Sequence, residues 1–130
     1  TRRAVMDRMS KEQLSGLPTF SEQISQKVVL QANHFELTVE PSMLEKSGVL
    51  SNGVLTEVLT TVTRQFMMNS GKNLIIEQLL VYYLQAVQVD DTLRIETRIV
   101  RQTRRSAIID FDLYLNLQLV TKATVTLKIN

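Results

Sequence analysis

One stretch of this chain repeats with the period of an α-helix, and it stands among stretches that alternate with the period of a strand. Within residues 52–68, Val54, Leu55, Val58, Leu59, Val62 and Phe66 fall at i, i+1, i+4, i+5, i+8 and i+12. At 100° per residue they gather on one arc, which predicts a helix with a single buried stripe. Ser51 or Asn52 supplies its N-cap, and Asn69-Ser70-Gly71 its stop. Ahead of it, KVVLQ and HFELTVEP set Phe35, Leu37 and Val39 against Glu36, Thr38 and Glu40, closing at Pro41. Behind it comes a long apolar run, LIIEQLLVYYLQAVQ (74–88), and an Asp90-Asp91 turn. Three alternating stretches follow. Leu93, Ile95, Thr97 and Ile99 oppose Arg94, Glu96, Arg98 and Val100; Ala107, Ile109, Phe111, Leu113 and Leu115 oppose Asp110, Asp112 and Tyr114; Ala123, Val125, Leu127 and Ile129 oppose Lys122, Thr124, Thr126 and Lys128. Four long strands, with a fifth before the helix, predict an α+β chain in which an antiparallel sheet of five or more strands wraps one long helix.

With 130 residues, 44% of them hydrophobic and 22% charged, the chain has the material for one core and the length of one domain. No apolar stretch approaches the ~20 residues needed to span a bilayer, and no apolar region follows the basic N-terminus. The expected location is therefore the cytoplasm. The chain has no cysteine, which removes disulfides, thiolate metal sites and cysteine nucleophiles, and its one histidine, His34, has no evident partner in sequence and reads as structural. No metal and no cofactor are expected. A net charge of +2 is too weak to argue for nucleic acid, and no aromatics interleave the basic residues. The charge is nevertheless clustered: Arg98, Arg101, Arg104 and Arg105 lie close together without an acid among them.

Residues 2–15 place Val5, Met6, Met9 and Leu14 at roughly helical spacing before a break at Gly16-Leu17-Pro18. That stripe is too thin for a core helix, so residues 1–25 read as a linker or the severed end of a preceding domain, and residues 26–130 as the folded domain.

The order strand, loop, long helix, long strands resembles the hot-dog fold. Residues 48–59, GVLSNGVLTEVL, resemble the loop-to-helix junction of hot-dog thioesterases, and residues 74–100 resemble the strands that follow it there. Thr1-Arg2-Arg3-Ala4-Val5-Met6 resembles the closing strand-to-helix of a CBS domain. Together these resemble the C-terminal domain of bacterial regulatory proteins built from DRTGG, CBS and hot-dog modules. The resemblance implies a homodimer or higher oligomer, an acyl-CoA or CoA-like ligand, and an adjoining CBS-type domain.

It also assigns residues. In hot-dog thioesterases a backbone N–H at the helix N-terminus polarises the thioester carbonyl, and Asn52 and Gly53 stand at that place, although helix capping alone also accounts for both. The branch that carries its acid on the helix places it where this chain has Thr61, and threonine is no general base without an activating partner. The one acid on the helix is Glu57, four residues before Thr61 and so on the same flank; a solvated surface residue is its plainer role. Arg104 and Arg105, with Arg98 and Arg101, suit the phosphates of CoA, or else form a solvated hairpin tip that blunts a sheet edge. Three functions follow: a regulatory domain that binds an acyl-CoA, an acyl-CoA thioesterase using Glu57, or a dimerisation module without ligand.

Overall fold

A computed structural model of the chain describes residues 19–31, 33–67 and 73–130. The helical spacing at 2–15, the break at 16–18, the CBS-like residues 1–6, Met68 and the stop at 69–71 lie outside the described residues.

The long helix, α2, spans Asn52–Phe66 and begins where the periodicity does, with Ser51 as its N-cap. Leu55, Val58, Leu59 and Val62 on its inner stripe are wholly buried. A shorter helix, α1, spans Phe20–Lys27 and is closed by a reciprocal cap: the Thr19 hydroxyl accepts from the Glu22 N–H, and the Glu22 carboxylate accepts from the Thr19 N–H. α1 carries Ile24 into the core and packs against α2. From Thr19 onward, then, the stretch expected to be a connection contributes to the folded unit.

Six strands form one sheet: β1 (Val28–Gln31), β2 (His34–Thr38), β3 (Leu74–Tyr83), β4 (Thr92–Gln102), β5 (Ser106–Leu115) and β6 (Gln118–Ile129). The order across the sheet is β1-β2-β4-β5-β6-β3, and every pairing is antiparallel. The alternation fixes which face turns inward, because a one-residue slip would send every apolar side chain to solvent. Ala107, Ile109, Phe111 and Leu113 of β5 and Ala123, Val125, Leu127 and Ile129 of β6 close over the stripe of α2 together with Leu93 and Ile95. The outward positions pair across strands by charge. Arg98 donates to Asp110 at 2.7 Å, the Thr124 hydroxyl donates to the same carboxylate at 2.7 Å, and Lys122 donates to Asp112 at 3.0 Å.

The apolar run from Leu74 leaves the sheet at Tyr83 rather than continuing to residue 88. The N–H groups of Leu84 and Gln85 both turn to the Val120 carbonyl, and the Val87 N–H donates to the Gly48 carbonyl at 2.7 Å. Val87 is thereby buried over the loop that precedes α2. Gly48 holds φ +84°, and a Cβ there would stand 3.1 Å from the Ala86 methyl, so the close approach needs glycine. This contact sets where the chain enters α2.

Candidate functional site

At the start of α2 the Ser51 hydroxyl accepts from the Val54 N–H, and the Ser51 carbonyl accepts from the Leu55 N–H. Among the described residues the N–H groups of Asn52 and Gly53 have no acceptor. They stand at the positive end of a helix of 15 residues, where an incoming carbonyl oxygen is stabilised. Nothing lies within 4 Å of a Cβ built on Gly53, so that side of the helix start is open. Asn52 is exposed, and its Oδ1 accepts a hydrogen bond from the Tyr83 hydroxyl at 3.0 Å. Burial raises the pKa of that hydroxyl, and the charge of Glu45 raises it further.

Gly53, Glu57 and Thr61 follow at four-residue steps and line one flank of α2. Glu57 is half-buried and makes no hydrogen bond or ion pair with any described residue, Arg64 included. Thr61 is 8% exposed and Thr63 2%, and the Thr63 hydroxyl has no partner. The hydroxyls of Thr56 and Thr60 bond back to the carbonyls of Asn52 and Thr56, each at 2.7 Å. The position two turns into the helix thus holds an enclosed methyl and hydroxyl. The flank offers one carboxylate, Glu57, a turn nearer the start.

Arg104 and Arg105 sit in the turn between β4 and β5. With Lys128, Ile129 and Asn130 they line an open cleft of about 470 Å³. Neither arginine forms an ion pair among the described residues. Arg98 does not belong with them, being held by Asp110. β2 covers β4 only from Thr92 to Ile95, so residues 96–102, which lead into the basic turn, have no partner strand on that side among the described residues. The structure does not bring this cleft to the helix start within one chain. Tyr83, beside Asn52, pairs with Thr121, whereas the cleft lies at Lys128 and Ile129. The intervening length of β6 is roughly 26 Å at the usual rise per residue. His34, expected to lack a partner, meets Glu36 at 3.1 Å because residues i and i+2 share one face of β2.

Sequence reasoning missed Tyr83 and Lys128. Tyr83 reads only as one aromatic in an apolar run, and Lys128 reaches the cleft through the pairing of β6 with Ser106 of β5.

A six-stranded antiparallel sheet around one long helix, with the helix start left open, defines a hot-dog domain of the thioesterase-like class. The chain belongs to the thioesterase superfamily, whose pattern it matches over residues 47–116, more than half its length. It is 25% identical over 96 residues to the uncharacterized protein YtoI of Bacillus subtilis (strain 168); that match takes in 73% of this chain but 22% of the longer relative. Among solved structures it resembles zebra fish thioesterase superfamily member 2, with a TM-score of 0.75, 20% identity and 94% of each chain covered. It also resembles a hypothetical thioesterase protein of Streptococcus pneumoniae TIGR4 solved with coenzyme A, with a TM-score of 0.67, 23% identity, and 79% and 84% of the two chains covered. The protein smu.793 of Streptococcus mutans UA159, bound to acetyl CoA, gives a TM-score of 0.67 at 23% identity, covering 80% of this chain and 87% of its own.

Proposed function

We propose that this domain binds an acyl-CoA, or a closely related acyl ligand, without hydrolysing it usefully, and that it does so as a cytoplasmic regulatory module of a longer chain. The observation that carries the reading is the flank of α2. It offers two unpaired N–H donors at its start, while Thr61 occupies the place where the acid-bearing branch of the family has its carboxylate. Polarising a carbonyl without activating a water holds a thioester and leaves it intact. The coenzyme A and acetyl CoA bound to two structural neighbours support the ligand class. The much greater length of YtoI supports a multidomain parent, for which a CBS-type sensor remains the proposed neighbour.

The two parts of the site serve one ligand only across a dimer. β3 is an edge strand of ten residues with Ile75, Leu80 and Tyr82 exposed, the kind of edge that pairing with a second copy covers. Antiparallel pairing of β3 with its two-fold copy sets the Tyr83 end of one protomer beside the Leu74 end of the other. The basic turn of the partner then lies about three strand spacings, ~15 Å, from this chain's Asn52. Arg104 and Arg105 hold the ligand's phosphates in this arrangement, and Asn52 and Gly53 its carbonyl.

Calorimetric titration of the wild type and of Arg104→Gln/Arg105→Gln with octanoyl-CoA tests the assignment. The double variant is expected to bind at least tenfold more weakly, with a smaller loss on adding salt than the wild type shows, because exposed charge–phosphate contacts are screened. Equal affinity and equal salt dependence would remove the arginines from the site. A thioesterase using Glu57 is the second reading, favoured by the half-buried, unpaired carboxylate on the correct flank.

A further inference from the structure

Asn52 opens the helix with its side chain exposed, yet one of its two polar atoms is already committed. Tyr83 reaches it from the last position of β3, across the gap between the sheet edge and the helix start, at 3.0 Å. A carboxamide has one accepting and one donating end, and whichever end is engaged determines what the other presents. We infer that Tyr83 is a positioning residue: its hydroxyl, by donating to Asn52 Oδ1, turns the Asn52 Nδ2 amide outward beside the free N–H groups of Asn52 and Gly53 as a third donor for the acyl carbonyl.

Three observations lead there. Among the described residues Asn52 Nδ2 has no acceptor, so the carboxamide is tied at its oxygen alone. The helix start attracts acceptors, because its own N–H groups form the positive end of the dipole, and Asn52 is exposed, so an arriving carbonyl can reach Nδ2. Tyr83 also lies where its proton is kept, half-buried and facing the negative field of Glu45, so it stays a donor across the physiological range. The inner-face neighbours Leu79 and Val81 pack β3 against the core, which holds the ring in place.

This inference rests on the acyl-CoA reading given above and concerns the carbonyl, not the nucleotide. The test compares octanoyl-CoA with free CoA, which has the same phosphates and no carbonyl at the thioester position. Tyr83→Phe removes one oxygen and keeps the ring, and its melting temperature shows whether it folds as the wild type does. The expected result is a five- to tenfold loss of affinity for octanoyl-CoA, the usual range for one lost hydrogen bond, with affinity for free CoA unchanged. In an Asn52→Ala background the same substitution is expected to change neither affinity, because Tyr83 acts through Asn52. Equal loss for both ligands, or a loss that persists in the Asn52→Ala background, would overturn the inference while leaving the function intact. A wild type that binds neither ligand would remove the function reading, and this inference with it.

Discussion

At the scale of single residues, the proposed chemistry of the domain turns on what α2 places along one flank. Helical spacing alone aligns Gly53, Glu57 and Thr61 on one flank, while the resemblance to hot-dog thioesterases singled out Asn52, Gly53 and Thr61. Their partners were not legible in the sequence, since Tyr83 meets Asn52 only once β3 has been placed at the sheet edge, and no local pattern says so. The separation of Arg104 and Arg105 from the helix start was equally hidden, because it depends on which end of β6 the basic turn adjoins. On the outer face, Asp110 illustrates how register makes a charged group useful. The Thr124 hydroxyl, directly opposite, lowers its pKa most; burial opposes this, and Arg98 and Lys122 add to the lowering. A carboxyl whose folded pKa is depressed stabilises the fold above its unfolded pKa and loses that contribution as pH falls through the folded value. Asp110→Asn is therefore expected to cost about 1 kcal/mol at pH 7, with the difference from wild type shrinking as pH falls below the ordinary carboxylate range. Thermal denaturation at a series of pH values checks this; a gap that widens in acid would contradict it.

At the scale of elements, the helix stripe from Val54 to Val62, Leu93 and Ile95 of β4, and the inward faces of β5 and β6 follow from periodicity, whereas Phe66 and Ile99, expected inside, lie exposed near the ends of their elements. Two elements differ from expectation for physical reasons. The strand after α2 stops at Tyr83 because the next N–H groups find Val120 and Gly48, contacts between segments far apart in sequence. Helix α1 was folded into a supposed connection although Thr19 and Glu22 carry the spacing of a capping box. Its single core residue, Ile24, gave too weak an apolar stripe to announce it. α2 matters most among the elements, since it supplies both the core stripe and the start of the proposed site. Leu59 is wholly buried at its centre, and Leu59→Ala is expected to lower stability by about 2–5 kcal/mol. Urea denaturation measures this, and a loss under ~1 kcal/mol would mean that the stripe is not the centre of the core.

At the scale of the whole molecule, one chain completes a core, while the proposed binding site takes two. In the proposed reading, the long edge of β3 and the distance between the helix start and the basic cleft are both answered by a second copy related by a two-fold axis. Sedimentation equilibrium at micromolar concentration is expected to give about twice the 14.8 kDa chain mass. A monomer would separate the arginines from the carbonyl site and require a ligand held by α2 alone. Membership of the thioesterase superfamily defines the architecture, while the proposal that the domain binds without turnover rests on the threonines of α2. The most direct measurement is a paired one on the same sample, with octanoyl-CoA affinity by calorimetry and thiol release by a chromogenic trap. Saturable binding with thiol release no faster than the uncatalysed background is the predicted result. Rapid thiol release, cut ~10²-fold or more in Glu57→Gln, would contradict it and make Glu57 the general base of a working thioesterase.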